Sequence, residues 1–477
     1  METMKTPHIP NSLLPKPRKV TLREGLFSFA GDLRIHAAAE FQQEKTRLID
    51  TLSRFGIAAH AEGTQEAAIT ILHQNALPPE AFAIEVAPES IRLEAADRAG
   101  AQYGCIAIGQ LASLATQTGS VNPVCECCKI EDAPEFCWRG LMLDSARHFQ
   151  SVETVRQVIK MMSVWRLRIL HLHLTDSQGW RFCTPETMKL GLHDEEFYSE
   201  ENLREIAALA EEYNIEIVPE IDMPSHQLHL VQSNPGFSCD PDHLTAELCI
   251  TSEKVKRFLK DILREVVRQL PGCRYIHLGG DEAETVNWEN CPSCRKVMKE
   301  KKLTIHRLEQ LFMNEMCAFV RSLGRTPIAW CSDADVPEGA IMQAWRISWK
   351  DINKARAAKA LMINSISQNF YFDFPQNCAE PSAPAMPILN EESVYHSSPY
   401  FFLHKENAAK EFIGIEACLW TETVPDWRVI CKIEERLPAL SECCWTPAAE
   451  RSFEEFRFRR MQLESAGWLR LANAGIL

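Results

Sequence analysis

The sequence predicts an α/β protein: a (β/α)8 barrel of the TIM type over residues 131–477, preceded by a small α+β domain over residues 1–130. Three observations predict it. Eight short apolar segments after Arg139 alternate with amphipathic helical patterns, the sign of a parallel α/β sheet. Charged and aromatic residues collect where those segments end, the face on which such barrels carry their chemistry. At 477 residues the chain has room for a barrel and one smaller module.

In chain order, EAFAIEVAPESIRLEAAD alternates apolar and polar residues on both sides of Pro88-Glu89-Ser90, which predicts a strand, a turn and a strand. Arg98 to Leu114 carries a helical pattern through Tyr103, Ile106, Ile108 and Leu111. The barrel strands are expected at 139–144, 167–175, 215–222, 275–280, 326–330, 340–345, 361–365 and 413–420. Helices follow Ser151 and Ser199, both serines suited to N-capping. Another carries Val255, Phe258, Leu259, Ile262, Leu263, Val266, Val267 and Leu270 on one face before Pro271-Gly272 ends it. The connection from Gln368 to Phe412 is long and poor in helix signals, as a functional loop would be.

Composition narrows the partners. Hydrophobic content of 45% and charged content of 24% are those of a soluble globular protein. A formal net charge of -14 argues against nucleic acid or an anionic membrane and fits a neutral substrate. No run spans a bilayer, and METMKTPHIPNSLLPKPRKV lacks the apolar core of a secretion signal, so a cytoplasmic location is expected.

The chemistry centres on Tyr275-Ile276-His277-Leu278-Gly279-Gly280-Asp281-Glu282. Adjacent strand residues point to opposite faces, so two neighbouring carboxylates cannot serve one site in regular β-structure; the glycines release the backbone there. Around it stand His171-Leu-His173-Leu-Thr-Asp176, Glu220-Ile-Asp222-Met-Pro-Ser-His226 and Ser145-Ala146-Arg147-His148 at other strand ends. Trp330, Trp345-Arg346, Tyr371-Phe-Asp373 and Trp420-Thr-Glu422 complete the set.

This ordered set, above all HLHLTDSQGWR, VPEIDMPSH, HLGGDE and LWTET, resembles glycoside hydrolase family 20, the β-N-acetylhexosaminidases, over roughly residues 139 to 428. The resemblance implies an exo-acting enzyme that releases terminal GlcNAc or GalNAc, with the substrate's own acetamido oxygen as nucleophile and no cofactor in catalysis. Carried over position by position, Glu282 is the general acid and base, and Asp281 orients the acetamido group and stabilises its positive charge. Tyr371 donates to the acetamido oxygen. Asp176 and His226 form a chain to Glu282. Trp330, Trp345 and Trp420 wall the pocket, and Arg139, Asp373 and Glu422 grip the sugar hydroxyls. The acid role requires a protonated Glu282, which burial and a neighbouring negative charge favour. The partner implied is a glycan or glycoconjugate.

Departures from the family pattern are few. Ser177 stands where a second Asp is common and Ser225 where Gly is. Trp349 comes too early to be the further pocket Trp, so Phe370, Phe372, Tyr400 or Phe401 is expected to substitute. Two rival readings remain: a lacto-N-biosidase of the same fold, and a glycan-binding protein that has lost catalysis.

One cysteine set has its own logic. Cys291-Pro-Ser-Cys294 follows the fourth strand, and Cys239 and Cys249 follow the third; in a barrel these loops are neighbours. Four thiolates suit a closed tetrahedral structural zinc. Two disulfides or four unrelated thiols are the alternatives.

Overall fold

The computed structural model describes residues 8–62, 67–117, 122–193, 195–380, 386–400 and 410–475. They divide into two compact units. One holds the described residues up to Cys137, Lys160–Leu167 and those from Arg436 onward; the other holds Trp138–Ile159 and Arg168–Glu435.

The first unit is a seven-stranded sheet in the order β1-β7-β5-β6-β4-β2-β3. Its strands are β1 (Lys19–Ser28), β2 (Asp32–Ala37), β3 (Ala58–Ala61), β4 (Ile69–His73), β5 (Phe82–Ala87), β6 (Ser90–Ala95) and β7 (Val124–Asp132). The predicted strand–turn–strand is the β5–β6 hairpin, in register from Phe82↔Ala95 to Ala87↔Ser90. The predicted helix runs Arg98–Thr116, and the Asp97 side chain caps it by accepting from the Gly100 N–H.

The sequence reading gives everything after residue 130 to the barrel domain, but the C-terminal segment folds with this first unit. Buried Asp132 is one tie: its carboxylate accepts from Trp445 Nε1 at 2.9 Å and from Arg166 at 2.9 Å, and the Glu135 N–H donates to the Trp445 carbonyl at 2.9 Å. Removing those donors would strand a carboxylate away from water.

The second unit is the barrel. Its eight strands are parallel and closed, comprising β8 (Trp138–Asp144), β9 (Ile169–His173), β12 (Glu216–Glu220), β13 (Tyr275–His277), β14 (Thr326–Trp330), β15 (Ile341–Ala344), β16 (Met362–Asn364) and β17 (Phe412–Leu419). The short ribbon β10 (Thr175–Asp176) and β11 (Gly179–Trp180) follows β9. Each predicted strand overlaps an observed one. The helix predicted after Ser199 is Glu200–Glu212, and that side chain accepts from the Asn202 N–H.

The barrel interior is layered. At the bottom Trp138, Ile169, Val218, Ile328, Ile341 and Ile363 form an apolar plug. Above it lies a polar layer in which Glu416 accepts from Trp138 Nε1 and Gln343 Nε2, both at 2.8 Å, and stands 2.8 Å from His171 Nδ1. Met142, Trp330 and Cys418 close the top, with Trp345, Tyr371 and Trp420 against them. No helix among the described residues is long and apolar enough to cross a membrane.

Candidate active site

β13 ends at His277, and the chain then turns through Gly279 (φ +67°), Gly280 (φ +98°) and Glu282 (φ +53°). A Cβ on Gly279 would lie 1.7 Å from Asp222 Oδ1, so only glycine permits that approach. The Gly280 N–H donates to the same oxygen at 3.3 Å. The turn therefore does what the sequence requires: it lets Asp281 go inward while Glu282 faces the mouth. Asp281 is buried, and its Oδ1 has no hydrogen-bond partner among the described residues. Burial pushes its carboxyl up to about 6, reinforced by the negative charges of Glu282 and Glu220 and opposed by His226.

Glu282 does not meet the expectation of burial, since 56% of its side chain is exposed. It is exposed where its neighbour Asp281 is buried. Behind it the expected chain is present. His226 places Nε2 3.6 Å from Glu282 Oε2 and Nδ1 3.1 Å from Asp176 Oδ2. His226 is also held at positive φ (+59°), a conformation that costs a non-glycine residue roughly 1–2 kcal/mol. Burial disfavours its charged form, but the carboxylates of Asp222, Asp176 and Asp281 outweigh that and raise it to about 10.

Asp176 is the hub. Besides His226 it meets His173 Nε2 at 3.1 Å and an Arg147 guanidinium nitrogen at 2.8 Å. Burial would raise its carboxyl, yet the bonds to His173 and His226 and the charge of Arg147 hold it well below the usual range.

Arg147 corrects the sequence reading, which assigned the sugar grip to Arg139. Arg139 pairs with Ile415, five residues before β8 ends at Asp144. Trp138 and Met142 belong to the interior clusters and a Cβ on Gly140 would meet Glu416, so strand alternation puts Arg139 on the opposite face. Arg147 instead lies at the strand's end, 3.2 Å from Asp144, 4.0 Å from Glu422 and 4.9 Å above the Trp420 ring. Its place in Ser145-Ala146-Arg147-His148, directly after the first barrel strand, is the signal in the sequence.

The structure brings Trp330, Trp345, Tyr371 and Trp420 together at one end of the barrel. Trp330 and Trp420 have ring centroids 5.9 Å apart, and Tyr371 stands 6.0 Å from Trp420. Trp345 packs in the same cluster and ties its indole N–H to the Cys331 carbonyl at 2.9 Å. Tyr371 bridges to Cys418 of β17, and the Phe372 N–H donates to the Cys418 carbonyl at 2.7 Å. Asp373 is buried, and its carbonyl accepts from Lys432. Of the aromatics expected to replace a missing wall, Phe370, Phe372 and Tyr400 are buried and Phe401 lies outside the described residues.

Beneath the indoles is Glu220, to which the sequence motif alone assigns no role. It accepts from Trp330 Nε1 at 2.8 Å and meets His171, His173 and His277 at 3.1, 2.5 and 2.8 Å. Burial opposes its charge, but the imidazoles win and hold it well below the ordinary carboxylate range.

Cys239, Cys249, Cys291 and Cys294 also converge, with all four sulfurs within 4.8 Å of one another.

Paired carboxylates, an imidazole behind the exposed one and a cluster of indoles at the same end of the barrel are the equipment for protonating and breaking a glycosidic bond, which makes the protein a glycoside hydrolase. Comparison with known families narrows this: the catalytic domain of glycosyl hydrolase family 20 matches residues 136–448, and domain 2 of that family matches residues 11–133. The chain belongs to glycosyl hydrolase family 20. A β-hexosaminidase of Akkermansia muciniphila is 31% identical over 412 residues, covering 80% of this chain and 82% of that one. A β-N-acetylhexosaminidase of Cellulomonas fimi is 25% identical over 94% of this chain and 93% of its own. Among solved structures, the β-N-acetylhexosaminidase of Bacteroides fragilis superposes with a TM-score of 0.83 at 28% identity, covering 96% of both chains.

Proposed function

We propose that the protein is an exo-β-N-acetylhexosaminidase that removes terminal β-linked GlcNAc or GalNAc by retaining, substrate-assisted hydrolysis. The observation that carries this reading is the contrast between neighbours: Asp281 is buried and Glu282 exposed, backed by His226 and Asp176.

In the first step the acetamido carbonyl oxygen attacks the anomeric carbon while Glu282 passes its proton to the departing glycosidic oxygen. The bond to the leaving group breaks and a cyclic oxazolinium forms. Asp281, enclosed and charged, lies against the acetamido nitrogen and stabilises the positive charge. Tyr371 donates to the acetamido oxygen and aligns it. In the second step Glu282 takes a proton from water, which attacks the anomeric carbon from the vacated side. Two inversions give retention. The nucleophile is part of the substrate, so bond cleavage calls for no cofactor.

Glu282 is exposed before substrate arrives, so the leaving-group sugar covers it only in the complex. Arg147, Asp373 and Glu422 are the grips for the sugar hydroxyls. Glu422 standing 4.0 Å from Arg147 closes that end and favours release of one sugar over a disaccharide. Rates on aryl β-GlcNAc, β-GalNAc, β-glucose and β-lacto-N-biose substrates, measured side by side, test the reading. Release of intact lacto-N-biose, or equal rates on the glucoside, would overturn it.

A further inference from the structure

Among the described residues, one convergent group of potential metal ligands consists wholly of thiols, and it is not part of the sugar pocket. Cys239 and Cys249 lie in the loop after β12, Cys291 and Cys294 in the loop after β13. All four are unpaired, and three are buried. We propose that Cys239, Cys249, Cys291 and Cys294 bind one structural zinc ion that staples these two active-site loops together.

The geometry fits. Tetrahedral zinc with bonds of about 2.3 Å requires sulfurs about 3.8 Å apart, and these lie within 4.8 Å of one another. Such convergence is local design rather than general packing, because each pair is set by its own backbone. The Cys249 N–H donates to the Phe237 carbonyl at 2.8 Å, drawing the two ends of the 239–249 segment together. Cys291 is the N-cap of the helix Pro292–Lys301, and its carbonyl accepts from the Arg295 N–H. Cys294 lies within the first turn of that helix, whose positive end favours thiolates.

Two hydroxyls occupy the positions expected of outer partners to bound thiolates. Thr251 Oγ1 is 3.3 Å from Cys294 Sγ and 3.6 Å from Cys249 Sγ. Ser293 Oγ is 3.3 Å from Cys291 Sγ and 3.6 Å from Cys249 Sγ. The hydroxyls themselves are 2.8 Å apart, spanning the two loops. Four sulfur ligands leave no open coordination position, so the ion holds structure and does not activate water. The stapled loops carry His226 on one side and Asp281 and Glu282 on the other. A second clasp, Glu247, accepts from the Glu284 N–H at 3.2 Å and from Asn287 Nδ2 at 2.8 Å. The zinc site and this carboxylate thus fix the spacing between the acid and its imidazole from outside the pocket.

The test is elemental analysis of protein purified without added metal, with zinc release followed as a mercurial is titrated in and caps the thiols. The expected result is about one zinc per chain, released as the mercurial caps the cluster thiols. Cys294→Ala should lose the zinc, while Cys378→Ala, at an exposed cysteine outside the cluster, should retain it. If Cys294→Ala does not fold, the wild-type chain produced in cobalt decides, since tetrahedral cobalt thiolate has its own visible absorption. Hydrogen exchange at 239–252 and 284–296 should rise when the metal is stripped. Folded protein without stoichiometric metal, iron in place of zinc, disulfides among these cysteines, or zinc retained by Cys294→Ala would each overturn the proposal. None of these readings depends on the sugar specificity.

Discussion

His226 stands between two carboxylates, with Nδ1 3.1 Å from Asp176 and Nε2 3.6 Å from Glu282. With Asp176 behind it, the imidazole keeps its proton and presents a positive edge to the acid. The raised His226 contributes stability that is complete below its ordinary value of 6.5 and is lost as pH rises through about 10.

Asp176→Asn should therefore move that alkaline loss to lower pH, because one of the carboxylates holding the imidazolium has gone. It should also lower kcat more than it raises KM. Urea unfolding at intervals from pH 6 to 10, beside steady-state kinetics, checks both. An unchanged alkaline limb would show that Asp222 and Asp281 hold the proton alone.

Glu282→Gln should nearly abolish turnover of natural glycans, while aryl substrates with good leaving groups suffer less in the first step because they need less protonation. A leaving-group series on the variant reads this directly. Equal losses across the series would assign the acid elsewhere.

Asp281→Asn separates activity from stability. The wild-type carboxyl is raised from 3.8 to about 6, so the folded state loses stability as pH rises through that window. The neutral amide escapes this loss and should be more stable at pH 7 by roughly 1–3 kcal/mol, while turnover collapses. At pH 4 the stability difference should vanish. Thermal melts of both proteins at the two pH values measure it.

Arg147→Ala should cost about 10- to 100-fold in kcat/KM, the scale of a charged hydrogen-bond grip. Arg139→Gln should leave KM unchanged and lower only the melting temperature. The reverse pattern would restore Arg139 to the sugar.

A substrate lacking the 2-acetamido group should be inert, and a thiazoline analogue of the bound intermediate should inhibit strongly. Mass spectrometry of enzyme quenched during turnover should find no glycosyl ester on any carboxylate.

The barrel was legible because its strands are short apolar runs punctuated by capped helices, and the acid because two glycines precede two carboxylates. Arg139 was misplaced for a physical reason: every residue of β8 is buried, on both faces, so the hydrophobic pattern carries no record of which side looks inward. Arg147 lies in a turn whose direction is set by Asp144 and Asp176, the latter distant in sequence. The exposure of Glu282 depends on how far the pocket walls rise, which no local pattern encodes. The docking of the C-terminal segment rests on partners far apart in the chain: Asp132 with the Trp445 indole, the Lys16 N–H with Glu442, and the Leu13 carbonyl with Arg459.

Glu220 ties one pocket indole to histidines on two different strands, all in the interior of the barrel. A shift in any of these strands would be felt by Trp330. The floor of the pocket is thus constrained collectively, whereas the loops that carry neither the acid nor its imidazole are under less constraint. Lineages that diversify from this scaffold should then differ in which glycan they accept at the rim, while the first sugar they recognise stays the same.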